Sequence, residues 1–198
     1  MVKRLFDIVV SFLGLVLLLP LFIIVSVIIK YTSDGPVFFR QTRVGKNEKL
    51  FQIHKFRTMV VNAESKGLKI TVGADSRITS IGYILRKTKF DELPQLIDVL
   101  IGNMSLVGPR PEVPEYVKYY TPEIKQKIFS VRPGITDAAS IEMIDENDIL
   151  AKSSNPEYTY INEILPLKLS YAVKYADHHN LFIDLVLILK TLKKIIIR

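Results

Sequence analysis

The segment IVVSFLGLVLLLPLFIIVSVII, residues 8–29, separates Asp7 from Lys30 by 22 positions without a charge. Only Ser11, Gly14, Pro20 and Ser26 interrupt its apolar run. As a helix it extends about 33 Å at ~1.5 Å per residue, enough to cross a hydrocarbon core of roughly 30 Å. It is too long for the apolar region of a cleaved signal peptide, and no small-x-small cleavage site follows it. Its length and all-round hydrophobicity argue against a helix buried in a soluble core. Both flanks are basic, with Lys3 and Arg4 before it and Lys30, Arg40, Arg43 and Lys46 after it, so the positive-inside rule does not orient it. Pro20 sits near its middle and removes one backbone hydrogen bond. Composition favours a tilted spanning helix with a mild kink. A re-entrant hairpin, with both ends on the cytoplasmic side and each half about 18 Å long at ~1.5 Å per residue, stays open.

The remainder of the 198 residues reads as one globular body. There are 27 Lys and Arg against 20 Asp and Glu, a net charge of +7, with no Cys and no Trp. A disulfide scaffold and a cysteine zinc site are excluded. The apolar fraction is too high for a disordered chain, and the positive balance favours anionic partners. VFFRQTRV and KLFQIHKF, around Gly45-Lys46-Asn47, predict a β-hairpin within Val37–Met59. Residues 62–80 read as a polar loop with short helical pieces, and Ile81 to Lys87 as a helix. A second helix is expected to begin at Asp91-Glu92, with Leu93, Leu96, Ile97 and Leu100 at helical spacing. Residues 103–111 read as a rigid loop. PEVPEYVKYYTPEIKQKIFS has helical period broken near Pro122, VRPGIT at 131–136 reads as a turn, and 137–165 as acidic and irregular. Ile164–Tyr175 and Leu181–Ile197 are expected to be helical. The last of these carries Lys190, Lys193, Lys194 and Arg198 among Leu and Ile. That pattern suits either an interfacial helix among acidic headgroups or a core helix with a basic, solvated end.

Three constellations could carry chemistry. In RKTKFDELP, residues 86–94, Pro94 can occupy a first helical turn, which puts Asp91 at or beside the N-cap. Backbone N–H groups there keep a carboxylate ionised and attract phosphate. Such a carboxylate can attack phosphorus or ligate magnesium, although a capping Asp beside a solvated Glu92 has the same pattern. In VGPRP, residues 107–111, two prolines stiffen a loop that presents Arg110, a geometry suited to bidentate phosphate binding or to a plain turn. In KFRTM, residues 55–59, alternation sends Lys55 and Arg57 to one side of an extended chain. Arg132 in VRPGIT is a further cation held beside a proline. The three histidines have no metal-ligand spacing, and no Gly-rich phosphate loop is present.

In order and wording, KRLFD at 3–7, the proline-broken apolar run, GPVFFRQTRVG at 35–45, FQIHKFRTM at 51–59, DELPQLIDVLIGNMSLVGPRP at 91–111 and VRPGIT at 131–136 resemble the bacterial sugar transferase family. Its members are monotopic polyprenyl-phosphate phosphoglycosyl transferases. The resemblance covers nearly the whole chain and is most specific from Asp91 to Pro111. It implies an α+β fold, mainly α, with a re-entrant membrane helix-break-helix at residues 1–32, broken at Pro20. A compact cytosolic catalytic body would follow at 33–198, with a small β-hairpin and interfacial amphipathic helices. Both termini would lie on the cytoplasmic face of a bacterial inner membrane.

The activity implied is transfer of a sugar 1-phosphate from a UDP-sugar to polyprenyl (undecaprenyl) phosphate with release of UMP, the first membrane step of glycan assembly. It would run by a ping-pong mechanism, with Asp91 carrying a phosphosugar ester and Glu92 assisting at the metal or as a base. Mg²⁺ is the implied cofactor, held by Asp91 and Glu92. Lys55, Arg86 and Arg110 would bind phosphates, with Pro111 and Arg132 beside them. The partners implied are the UDP-sugar, the polyprenyl phosphate and membrane lipids, with a homodimer as an option and no nucleic acid. The chain departs from the family pattern at Leu19, where members often carry Ser, and at Asp137-Ala138-Ala139-Ser140, where many carry Gly and a Trp-Ala-Gln run. No sugar identity is therefore transferred. Two other classes use the same residues: a membrane-tethered UDP-sugar hydrolase and a non-enzymatic module that binds anionic lipid.

Overall fold

The first helix, α1, spans Val2–Thr32 and continues through Pro20. Ser11 and Ser26 satisfy their hydroxyls within it, each donating to the carbonyl four residues back at 2.6 Å. That arrangement lets polar side chains sit in an apolar helix. The structure, a computed structural model, describes residues 2–63, 70–73, 75–143 and 146–197. Residues 64–69 and 74 of the loop expected at 62–80, and 144–145 of the acidic segment, lie outside the described residues.

One side of α1 packs on the body through Asp7, Ser11, Phe22, Val25 and Ile29, while Phe12, Leu13, Leu17, Ile23 and Ile24 are exposed. Strands β1 (Phe38–Val44) and β2 (Leu50–Phe56) form the expected antiparallel hairpin, with Phe38 opposite Phe56 and Val44 opposite Leu50. Its turn places Asn47 and Glu48 at φ 56° and 58°. Phe56 and Leu85 meet Phe22, Val25 and Ile29 of α1 in one apolar cluster.

Helix α2 (Ser80–Thr88) is capped by Thr79, whose hydroxyl accepts from Gly82 N at 3.0 Å. It ends at Lys89 in the left-handed region, φ 60°. Next come a 3₁₀ turn, Phe90–Glu92, and α3 (Gln95–Ile101), stopped by Gly102 at φ 103°. The acidic pair therefore lies in the tight turn before α3, and Pro94, not Asp91, is the N-cap of that helix. α1 crosses α3 at Gly14, where even a Cβ would come within 3.2 Å of Leu96 Cδ1.

Two stretches expected to be loop and turn contain short strands. β3 (Ser105–Val107) and β4 (Gly134–Thr136) pair in parallel, Ser105 opposite Gly134 and Val107 opposite Thr136. Three residues are too few to show alternation, and the close approach rests on glycine. A Cβ on Gly134 would lie 2.0 Å from Gly108 N.

Helices α4 (Pro114–Val117) and α5 (Pro122–Ile128) follow the predicted interruption, α5 with Pro122 in its first turn and Thr121 as cap. The acidic stretch expected to be irregular is instead helical: α6 (Ala138–Glu142), α7 (Glu146–Lys152) and α8 (Pro156–Thr159) lead through a π-turn at Tyr160–Ile164 into α9 (Leu165–His178). Caps set these short helices, as where Asp137 accepts from Ser140 N at 2.9 Å, and five-residue helices carry no readable period. α10 (Leu181–Ile196) closes the chain, capped by Asn180. The described residues are mainly helical with two small sheets.

Candidate active site

The 3₁₀ turn carrying Asp91 and Glu92 faces β2 on one side and the Gly108-Pro109-Arg110 corner after β3 on the other. The two carboxylates diverge in their surroundings. Glu92 Oε1 accepts from Lys55 Nζ at 2.8 Å and from Arg110 Nη2 at 2.5 Å, and its Oε2 accepts from Arg110 Nη1 at 3.3 Å. Burial alone would raise the Glu92 carboxyl, but Arg110 and Lys55 outweigh it and hold the group well below the usual carboxylate range. Asp91 is equally buried, yet its Oδ1 has no hydrogen-bond partner among the described residues. Burial, then the charge of Glu92, push its carboxyl up against the pull of Lys55, Lys89 and Arg86.

The cations are held in different ways. Burial lowers the Lys55 ammonium to about 8, with Glu92 opposing the shift. The charge of Glu92 outweighs burial at Arg110 and raises its guanidinium. Arg86 projects from α2 with Nε on Thr58 Oγ1 and Nη1 on Thr71 Oγ1, both at 2.9 Å. Lys55, Arg86, Asp91, Glu92, Arg110 and Pro111 line one cleft of about 1720 Å³. Pro111 lends its carbonyl to Arg43 Nη1 at 2.9 Å.

Two residues singled out in the sequence are tied to partners outside the acidic pair. Arg132 donates from Nε to the Gly102 carbonyl at 2.8 Å, at the end of α3, and is not among the residues lining the cleft. Strand β2 ends at Phe56; Arg57, just beyond it, lines the same cleft as Lys55 but is tied to other partners. Its Nη2 bonds the Ser33 carbonyl at 2.8 Å and its Nη1 the Asp34 carbonyl, securing the exit of α1.

A model of the family described as bacterial sugar transferase matches residues 1–198. The chain belongs to that family. It is 35% identical over 197 residues to a UDP-N-acetylgalactosamine-undecaprenyl-phosphate N-acetylgalactosaminephosphotransferase of Aeromonas hydrophila, covering 98% of this chain and 44% of that one. It is 36% identical over 195 residues to a UDP-glucose:undecaprenyl-phosphate glucose-1-phosphate transferase of Klebsiella pneumoniae, covering 97% and 39%. A protein of the same description from Caulobacter vibrioides is 34% identical over 196 residues, covering 98% and 69%. The chain thus spans less than half the length of the first two relatives.

The candidate site also rests on residues that the sequence did not single out. Asp98, fully buried on α3, accepts from His54 N and from His54 Nδ1, both at 2.8 Å. It thereby locks the strand position next to Lys55 onto the helix that follows the acidic pair. A charge between Ile97 and Val99 on an apolar helix was the readable signal. Thr58 and Thr71, which hold Arg86, carry no such signal.

Proposed function

We propose that the chain transfers a sugar 1-phosphate from a UDP-sugar to polyprenyl phosphate, through a phosphosugar ester on Asp91, and so starts a membrane glycan. The observation that carries this reading is the asymmetry of the acidic pair. Glu92 is saturated by Lys55 and Arg110, whereas Asp91 keeps a buried, unpartnered oxygen in a cleft lined with cations. A desolvated carboxylate with no donor on it is a competent nucleophile. The names of the three relatives supply the donor and acceptor classes.

In the first displacement a carboxylate oxygen of Asp91 bonds to the sugar-side phosphorus. The bond from that phosphorus to the bridging oxygen breaks, and its electron pair leaves on UMP. In the second, an oxygen of the lipid phosphate bonds to the same phosphorus, the bond to Asp91 breaks and the carboxylate is restored. Neither step needs a proton. Lys55, Arg86 and Arg110 offset the charge of the diphosphate, and Glu92 keeps two of these cations aimed. Arg132, committed to the Gly102 carbonyl, takes no part.

The donor set also suits a magnesium ion. Among the described residues no three His, Cys, Asp or Glu side chains gather as a closed metal cage. Magnesium is commonly held by one or two carboxylates plus substrate phosphates, and Asp91 Oδ1 is the free acceptor here. Asp91 would hold the ion together with the diphosphate, while both oxygens of Glu92 are already taken. When bound, the ion supplies further neutralisation of the diphosphate.

The membrane arrangement we propose keeps both ends of α1 on one face of the bilayer, without the break expected at Pro20, through which the helix continues. Near its start, α1 is tied to the body by Arg4 on the Val99 and Leu100 carbonyls and by Asp7 on Ser105 and Leu106. Near its end, Ile29 packs on the same body and Arg57 holds Ser33. A helix crossing ~30 Å of hydrocarbon would carry one of these attachments to the far side and draw the polar body into lipid. A shallow insertion through the exposed apolar side satisfies both.

The test is a single incubation of full-length protein with labelled UDP-sugar and Mg²⁺, without lipid. One equivalent of UMP should be released in a burst, with a labelled phosphosugar on the peptide containing Asp91, and Asp91→Asn should give neither. Continuous release of free sugar phosphate would favour the hydrolase. Absence of any adduct would reject the aspartate route.

A further inference from the structure

The cleft is larger than the ~300–1,000 Å³ of most small-ligand pockets, at about 1720 Å³. Its lining changes character along its course. Around Asp91 it is charged. It is also lined by Leu96 of α3, Leu106 of β3, Ile135 of β4, Val10 of α1, and Ile188 and Leu192 of α10, with Thr136, Thr191 and Lys194 on the same elements. Leu96 follows Asp91 by five residues, so the apolar arm starts beside the acidic pair. Val10 is 37% exposed and Leu192 50% exposed. The two helices that carry them are held together by Lys3 Nζ on Asp184 Oδ2 at 2.5 Å. Both also show apolar side chains outward, among them Leu13 and Leu17 on α1 and Phe182 and Leu189 on α10.

Resting on the transfer reading above, we infer that this apolar arm, between α1 and α10, seats the isoprenoid chain of the acceptor. The argument is complementarity along one path. The acceptor is a single phosphate on a long hydrocarbon. The cleft offers cations at its inner end, a greasy wall next to them, and an outer end between two helices whose free faces suit lipid. Leu96 and Leu106 are themselves buried, so the open apolar part of the wall is at Val10 and Leu192, where exposed apolar surface is a cost unless something apolar covers it. A chain lying there also brings its phosphate to Asp91 without leaving the bilayer, since the wall is continuous with the outward side of α1 at Val10.

The experiment compares undecaprenyl phosphate with a short isoprenyl phosphate as acceptors, using full-length protein in nanodiscs. Ile188→Trp narrows the arm, and Leu192→Asp, at a half-exposed position, makes it polar. Each should lower kcat/KM for undecaprenyl phosphate about tenfold and for the short acceptor no more than twofold. The UMP burst with donor alone should keep its amplitude. An equal fall for both acceptors, no change for either, or loss of the burst would overturn the assignment. So would competitive inhibition by a saturated phospholipid that disappears in Leu192→Asp, because the arm would then be an acyl-chain site. A wild-type enzyme lacking the burst would refute the aspartate intermediate, while the long-to-short ratio would still decide the position of the chain.

Discussion

Lys55 should set the alkaline limit of catalysis. Its ammonium is lowered to about 8 by burial and is kept that high by Glu92, 2.8 Å away. Because kcat/KM reports groups of the free enzyme, kcat/KM for the UDP-sugar should fall as pH rises through about 8. The stability sign is the reverse. In the unfolded chain Lys55 titrates near 10.5, so between about 8 and 10.5 the unfolded state binds more protons and stability rises with pH. At ~1.36 kcal/mol per pH unit that interval is worth ~3 kcal/mol. Loss of activity over this window is then separable from unfolding, since thermal unfolding run in parallel should show no loss from this group.

Two variants complete the test. Lys55→Arg keeps its charge and should abolish the limb. Glu92→Gln removes an interaction of roughly 1.5–3 kcal/mol, typical for a hydrogen bond to a charged group, and should move the limb down by about one to two pH units. A Lys55→Arg enzyme that still loses activity near pH 8 would refute the assignment.

Asp98→Asn leaves an amide where two His54 donors need acceptors; a loss of ~1–3 kcal/mol should lower Tm by roughly 2–12 °C for a chain of this size, and an unchanged melting curve would remove Asp98 as the clamp. Gly134→Ala puts a methyl against Gly108 N, 2.0 Å away; overpacking of this kind costs ~1–3 kcal/mol or more, and donor turnover should collapse because the Arg110 corner moves, whereas normal kinetics would mean that the β3–β4 contact does not position Arg110. Asp7→Ala strands Ser105 Oγ and Leu106 N in the interior at ~1–3 kcal/mol each; it should expose the start of α1 to proteolysis, and wild-type protection would refute its role as an anchor.

The long periodic pieces of this fold were open to sequence reasoning. The uncharged run at 8–29, the hairpin flanking Gly45 and the leucine spacing after Asp91 each carry a strong local signal. The β3–β4 pair was not, since a parallel contact of two three-residue strands, Ser105 with Gly134 and Val107 with Thr136, far apart in the chain, has no local pattern. Nor were the short helices after Asp137, which depend on caps and on packing under α9. At the site, the types of residue were legible and their partners were not. Arg132 and Arg110 both stand beside prolines, yet only Arg110 reaches Glu92, because β3 and β4 lie side by side and turn the two arginines to different neighbours. The unequal roles of Asp91 and Glu92 likewise follow from who arrives opposite them, Lys55 from β2 and Arg110 from the corner after β3.

Helix α1 and the candidate site are joined by one largely buried polar network. Val107, two residues before the Pro109 that fixes Arg110, gives its carbonyl to both Lys3 Nζ at 3.1 Å and Tyr175 OH at 2.9 Å. Those two donors also share Asp184, one on each carboxylate oxygen. Asp7 completes the set by holding the strand from Ser105 and Leu106. Buried polar groups of this kind are costly unless every member is paired, so the start of α1, the strand leading to Arg110 and α10 are held in one arrangement or lose it together. A cytosolic domain on a flexible tether would not need such a junction. Under the proposed transfer through Asp91 it would be needed, because the depth of α1 in a bilayer would then set the height of Asp91 above the lipid.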